Sequence, residues 1–187
     1  MRPSFSLRRL TIACGVAAVA TLVAACGGDE AVAPDGRPPT VTTFLYDPAA
    51  ADTFDLGRQH RIAFAAGAVC DPARSTYGVA EWDAPCPPLA APIAITATST
   101  EDAAGRPRVD FAPALRFVPG AEVVLYLRDK DAAEDPSAVI QWCQAREACV
   151  VEPAATPSAE TRRDRALGVV YRRIKHFSGY MIMVGRR

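Results

Sequence analysis

Proline is the feature of this sequence that most restricts its fold. The 187-residue chain contains 16 prolines, spread from Pro3 to Pro157. Proline in a helix interior removes a hydrogen bond and clashes with the preceding turn, so long helices are disfavoured over most of the chain. Half of the residues are hydrophobic, but alanine supplies many of them, so fewer large side chains remain to fill a core. The sequence therefore predicts short strands joined by turns.

Alternation of apolar and polar residues locates these strands. The clearest alternation, typical of a half-buried strand, occurs in three segments, 60–66, 92–99 and 122–128. Weaker alternation predicts further strands at 109–111, 115–118, 139–143, 168–175 and 178–184. Pairs such as Pro119 and Gly120 separate the segments with turn chemistry. Many short strands at turn-length spacing predict an all-β sandwich or barrel.

Charge and composition argue against several classes of function, among them nucleic-acid binding and metal- or cofactor-dependent catalysis. The 21 Lys and Arg balance 21 Asp and Glu without a strong local basic cluster, which argues against a nucleic-acid partner. The basic groups at 162–165 and 172–175 have acidic neighbours and predict a solvated strand face. The acidic segment 129–135 lacks the central glycine of an EF-hand loop and predicts a solvated loop. With only His60 and His176 as imidazoles and no glycine-rich phosphate loop, we expect no metal, no cofactor and no chemistry on other molecules.

The first 25 residues have the pattern of a secretory signal. Arg2, Arg8 and Arg9 precede an uncharged run, 10–25, that is too short to span a bilayer comfortably. The run ends in Leu-Val-Ala-Ala before Cys26, which resembles the bacterial lipobox, where a peptidase cuts before a diacylated cysteine. The resemblance implies a signal peptide at 1–25 and an acylated Cys26 at the new N-terminus. Residues 26–40 are rich in Gly, Pro and Asp and predict a flexible tether.

The lipobox resemblance also implies a location. Acyl chains on Cys26 would anchor the protein in a membrane without spanning it. Gly27 is not the aspartate that retains some Gram-negative lipoproteins on the inner membrane, so we expect an envelope protein on the outer membrane, on its periplasmic or surface face.

The remaining cysteines predict disulfides. If Cys14 leaves with the signal and Cys26 carries lipid, four cysteines remain for an oxidising compartment. Four cysteines allow three pairings, and we favour the two local bridges, Cys70–Cys86 and Cys143–Cys149, because each encloses loop-like sequence. A four-cysteine metal site is the less favoured alternative, because no short paired spacing is present.

Three segments together resemble the ZU-five type of β-sandwich domain, a module of adaptor and bacterial surface proteins. They are the apolar strand and small-residue turn at 62–68, the segment 115–119 before a strand, and the sequence Lys-His-Phe-Ser-Gly-Tyr at 175–180. The resemblance covers roughly residues 55–187 and implies a single sandwich domain at 41–187, with short antiparallel strands and a role as an interaction module. The insert between Cys70 and Cys86, with Tyr77, Trp82 and Asp83, departs from the family.

The triplet His176-Phe177-Ser178 carries the second hypothesis. In a few relatives of that family the same triplet cuts its own backbone between Phe and Ser. Here Ser178 Oγ would attack the Phe177 carbonyl while His176 takes the hydroxyl proton. Gly179 could allow the sharp turn or bulge that such a strained peptide needs. The alternative is a plain strand pair with Phe177 in the core.

Two functions therefore remain open from the sequence. We expect a lipid-anchored envelope protein with a β-sandwich that serves as a binding or structural module. Its partners would be the membrane, through Cys26, and an unidentified protein or envelope polysaccharide. The alternative is a self-processing domain that cleaves its own Phe177–Ser178 bond with Ser178 and His176.

Overall fold

The structure, a computed structural model, describes residues 37–145, 148–152 and 159–185. Within these residues, eleven strands form two antiparallel sheets that enclose one hydrophobic core. The predicted all-β sandwich is therefore confirmed. The expected signal peptide and the lipidation residue Cys26 lie outside the described residues.

The six-stranded sheet contains the longest strands. In spatial order it consists of Thr40–Tyr46 (β1), Ile93–Glu101 (β4), Pro107–Ala112 (β5), Gly179–Met183 (β11), Val139–Ala145 (β7) and Ala148–Val150 (β8).

The five-stranded sheet packs against it. In spatial order it consists of Asp52–Asp55 (β2), Arg61–Phe64 (β3), Val123–Arg128 (β6), Val169–Arg173 (β10) and Arg162–Asp164 (β9). Two short helical segments occur in the described part of the chain, a 3-10 turn at Val79–Glu81 and an α-helix, α1, at Lys130–Glu134.

Apolar residues that alternate with polar ones along a strand point into the core, and the residues between them point to the outer face of the sheet. Along β6, Val123, Leu125 and Leu127 are fully buried, while Tyr126 and Arg128 point to the opposite face and are half-buried. This agrees with the period-two pattern, because successive side chains of a strand point to opposite faces of the sheet. The outer face of the five-stranded sheet therefore carries the polar and aromatic side chains of Tyr126 and Arg128 beside the half-buried Val124.

Aromatic rings fill the centre of the core beneath the His-Phe-Ser segment. Phe177 is fully buried and stacks on Phe111 with ring centroids 4.3 Å apart. The edges of Phe64 and Phe117 meet it at 5.9 and 5.0 Å. Edge-to-face and offset-stacked pairs of this kind stabilise a core beyond their buried area. Phe177 is thus fixed on several sides.

Two sequence predictions of local structure are wrong. Segment 115–118 forms isolated bridges, Val69 with Phe117 and Arg116 with His176, instead of a strand. Prolines at both flanks, Pro113 and Pro119, limit a ladder there because they lack an N–H donor.

The second wrong prediction concerns the acidic segment 129–135, which was expected to be a solvated loop. It contains α1, where the Asp129 side chain accepts the Ala132 N–H at 2.9 Å as an N-cap. Ala132 and Ala133 are buried, so this segment packs against the sandwich instead of being fully solvated.

Two disulfides cross-link the molecule. Cys70 bonds to Cys86 and Cys143 bonds to Cys149, the two local pairings favoured by the sequence. The first closes the insert over one end of β11, and the second joins neighbouring strands β7 and β8. Among the described residues no helix has both the length and the apolar character needed to cross a membrane.

Candidate functional site

The His-Phe-Ser segment lies immediately before β11, with a bend at Ser178. His176 and Phe177 are fully buried and Ser178 is half-buried. The Phe177 N–H donates to the Leu115 carbonyl, and the Ser178 carbonyl accepts the Phe111 N–H at 3.0 Å. The peptide bond between Phe177 and Ser178 is therefore held by main-chain hydrogen bonds on both of its sides.

Two side chains contact the two nitrogens of the His176 ring. Nε2 lies 2.9 Å from Glu152 Oε1, and Nδ1 lies 3.2 Å from Ser178 Oγ. An ionised carboxylate only accepts, so the Glu152 contact places the ring proton on Nε2. The lone pair of Nδ1 in the neutral ring then faces the Ser178 hydroxyl. This is the arrangement of a nucleophile, a base and an orienting carboxylate.

A buried cation accompanies the Glu152 carboxylate. Arg172 and Glu152 are both almost fully buried, and their charged atoms lie 3.5 Å apart. Arg172 also donates to the Ile140 carbonyl at 2.9 Å, which fixes the guanidinium between the sheets. The prediction that Arg172 belongs to a solvated strand face is wrong. Its burial keeps a carboxylate in the core from being an uncompensated charge.

Tyr77 contacts the carbonyl of the same peptide bond. Its hydroxyl donates to the Phe177 carbonyl oxygen at 2.6 Å and lies 3.2 Å from His176 Nδ1. Burial raises the pKa of the Tyr77 hydroxyl, so this group stays protonated at neutral pH and remains a donor. The hydroxyl thus polarises the carbonyl that Ser178 would attack. The sequence places Tyr77 in the insert, but no pattern in it indicates this contact, which joins residues about 100 positions apart.

Trp82, from the same insert, covers the face of the imidazole. Its ring is stacked on His176 with centroids 3.6 Å apart, and Trp142 meets His176 edge-on at 5.4 Å. Trp82 is itself buried. The two indoles restrict rotation of the His176 ring and hold Nδ1 towards Ser178.

Polar contacts fasten the insert to the sandwich. The Arg116 guanidinium donates to the Glu81 carbonyl at 2.7 Å, and Lys175 pairs with Asp83 at 2.8 Å. Together with the Cys70–Cys86 bond, these contacts fix the loop that carries Tyr77 and Trp82. The insert therefore supplies two walls of the site.

Gly179 has a different role from the one expected. It lies within β11, and its φ is outside the left-handed region, so it forms no sharp turn there. A Cβ at this position would collide with Asp110 Oδ1 and lie 3.1 Å from the Cys143 carbonyl oxygen. Gly179 is needed because the Arg108–Asp110 ion pair, with an N–O distance of 2.7 Å, lies over the strand at this point.

Solvent reaches the site through an open cavity. The cavity has a volume of about 460 Å³ and is lined by residues that include Tyr77, Trp142, Phe177 and Ser178. Water can therefore approach the Phe177–Ser178 bond from outside.

Neither a group of metal-ligating side chains among the described residues nor a similar protein points to a function for the site. In the part of the chain that the structure describes, no three or more His, Cys, Asp or Glu side chains are grouped so that they could hold a metal ion. Neither a protein-family model, nor a curated protein, nor a solved structure matches this chain.

Proposed function

We propose that this chain is a lipid-anchored cell-envelope protein whose sandwich, similar to the ZU-five type, cleaves its own backbone between Phe177 and Ser178. The anchor rests on the sequence, in which a short apolar run ends at Cys26. Several acyl chains on Cys26 would hold the protein on the membrane, with the outer membrane favoured. A flexible tether then separates the sandwich from the lipid.

One observation carries the self-processing proposal. The carbonyl oxygen of Phe177 accepts the Tyr77 hydroxyl at 2.6 Å, while Ser178 Oγ, the adjacent nucleophile, lies 3.2 Å from His176 Nδ1. A polarised electrophile, a nucleophile and a base therefore converge on one peptide bond. The acyl group in reach of Ser178 belongs to the chain itself, so the proposal involves no chemistry on other molecules.

The reaction is an N-to-O acyl shift followed by hydrolysis. Ser178 Oγ attacks the Phe177 carbonyl carbon and gives its proton to His176 Nδ1. The C–N bond then breaks, the proton passes to the Ser178 nitrogen, and an ester joins Phe177 to the Ser178 side chain. Water hydrolyses this ester, which leaves a Phe177 carboxylate and restores the Ser178 hydroxyl. No cofactor is needed at any step.

Two further residues assist without forming bonds. The Tyr77 hydroxyl stabilises the negative charge that develops on the Phe177 oxygen, as an oxyanion donor does. Glu152 acts on His176 as a positioning residue, because it fixes the tautomer and stabilises the imidazolium that forms. After cleavage β11 would stay between β5 and β7, since five of its residues pair with β7.

The second candidate is a binding or structural module in which the same triplet only packs. The close packing of His176 between Trp82 and Trp142 favours it, because a buried imidazole with satisfied nitrogens also stabilises a core. Under this candidate the partner is an unidentified protein or an envelope polysaccharide, and the Phe177–Ser178 bond stays intact.

Time-resolved cleavage of freshly synthesised chain tests the self-processing proposal. We expect hydroxylamine, which attacks esters, to accelerate fragment formation in the wild type and to leave Ser178→Ala intact. Tyr77→Phe should slow cleavage about 100-fold. Ser137→Ala is the matched control and should cleave normally, because among the described residues the Ser137 hydroxyl bonds only to Asp135 of its own turn and to the Gly185 N–H. Wild-type chain that remains whole would contradict self-processing.

Membrane fractionation of Cys26→Ser tests the anchor separately. Loss of the acylated cysteine should move the protein from the membrane to the soluble fraction. A variant that still fractionates with membranes would refute the lipobox interpretation without bearing on cleavage.

A further inference from the structure

The outer face of the five-stranded sheet carries an aromatic pair at its centre. Cross-strand register places Arg61 beside Tyr126 and Tyr126 beside Tyr171, on the neighbouring strands β3, β6 and β10. The two tyrosine rings are stacked, with centroids 5.3 Å apart and planes inclined by 21°. Both rings are half-buried, so they form a fixed platform with one side open to solvent.

Two arginines beside this platform, Arg61 and Arg128, have no side-chain hydrogen bond or ion pair in the described part of the chain. Within residues 37–145, 148–152 and 159–185, no hydrogen bond or ion pair engages the guanidinium of Arg61 or Arg128. Other arginines of the sandwich are paired, for example Arg108 with Asp110. Unpaired guanidinium groups at the edge of an aromatic platform are available to bind an external anion.

A cavity joins the arginines and Tyr126. It has a volume of about 630 Å³, within the range of small-molecule sites, and Arg61, Tyr126 and Arg128 all line it. Asp55 also lines the cavity, but its Oδ1 accepts the Gly57 N–H at 2.6 Å within the β2–β3 turn. The cavity is open, which suits a segment of a longer chain better than an enclosed small molecule.

We propose that this face binds an acidic polysaccharide, with a uronic-acid type sugar as the repeating ligand. The face of Tyr126 that Tyr171 does not cover would pack against the apolar C–H side of a sugar ring, because Tyr126 lines the cavity with Arg61 and Arg128. Arg61 and Arg128 would bind carboxylates, for which the guanidinium fork is suited. This site goes beyond self-processing and lies on the opposite sheet from Ser178, so either proposal can fail without the other.

Isothermal titration calorimetry of the mature chain with oligogalacturonate tests the proposal. We expect saturable binding that Arg61→Ala and Arg128→Ala each weaken about tenfold or more. Tyr126→Leu, which keeps an apolar side chain but removes the ring, should also weaken binding. Arg106→Ala removes the same charge from the β4–β5 turn and Ser178→Ala removes the nucleophile; both should bind like the wild type. Thermal melts of every variant verify folding.

Three outcomes would overturn the proposal. The first is that the wild type does not bind oligogalacturonate, or binds a neutral glucan equally well. The second is that Arg106→Ala weakens binding as much as Arg61→Ala, because the effect would then be one of net charge. The third is that the protein binds vesicles of phosphatidylglycerol but not the oligosaccharide, which would assign the face to a lipid headgroup.

Discussion

Acidification should destabilise the sandwich through His60. This residue is 2% exposed, and its Nδ1 accepts the backbone N–H of Arg128 at 3.0 Å. The neutral ring must therefore carry its proton on Nε2, which has no hydrogen-bond partner among the described residues. Protonation would add the ring's second N–H at Nδ1, where its hydrogen would directly face the Arg128 N–H. The charged form thus loses a hydrogen bond in addition to its hydration.

The size of the effect follows from the pKa. Burial, aided by the nearby positive charge of Arg58, lowers the pKa of His60 from 6.5 to about 4. At about 1.36 kcal/mol per pKa unit, this difference contributes about 3 kcal/mol of stability. Because the folded state favours the neutral form, the contribution is complete above the unfolded pKa of about 6.5 and is lost progressively as the pH falls to about 4.

Urea unfolding of the wild type and of His60→Asn, at a series of pH values between 7.5 and about 3.5, measures this contribution. The Asn side-chain oxygen can still accept the Arg128 N–H but does not titrate in this range. The pH dependence of the variant's unfolding free energy therefore reports all titrating groups except His60. We expect the difference between the two unfolding free energies to change by about 3 kcal/mol below pH 6.5. Parallel curves for the two proteins would refute this account of the buried imidazole.

Three substitutions test other contacts by urea unfolding. Gly179→Ala should destabilise the fold by about 1–3 kcal/mol, because its Cβ would meet Asp110 and the Cys143 carbonyl. Arg172→Met should cost about 3 kcal/mol or more, because it leaves a carboxylate in the core without its cation. Replacing Cys70 and Cys86 together by Ser should cost about 3 kcal/mol through the loop that their bond closes.

Matched controls separate these effects from general damage. Gly105→Ala, at a glycine with open space around it but a positive φ, should report backbone strain alone, without a clash. Arg106→Ala should leave stability nearly unchanged, unlike Arg172→Met. A Gly179→Ala, Arg172→Met or double-cysteine variant as stable as the wild type would contradict the contact assigned to it.

The sheets could be predicted where burial follows hydrophobicity. In β6 every second residue is aliphatic and buried, so the strand was evident from the sequence. In β1 the pattern misleads, because Val41 and Leu45 are 61% and 62% exposed while Thr40 and Thr42 lie on the more buried side. Pairing with β4 along seven residues forms this strand despite its pattern.

The site could be predicted only in its local part. His176, Phe177 and Ser178 are adjacent in the sequence, so their chemistry was evident. Tyr77 and Glu152 reach His176 from 99 and 24 residues away. A surface position is the usual expectation for a glutamate, and no periodicity indicates that Glu152 is buried. The sign that could have identified Tyr77 is its place in a disulfide-closed insert that departs from the resembled family.

The intact mass of the denatured mature protein, measured beside Ser178→Ala, tests the central claim most directly. Self-processing predicts that the wild type is short by residues 178–187 and that Ser178→Ala has the full mass. A single full-length mass for both proteins would contradict self-processing and leave the triplet as part of the core. Denaturation is essential, because a cleaved β11 would otherwise remain paired between β5 and β7.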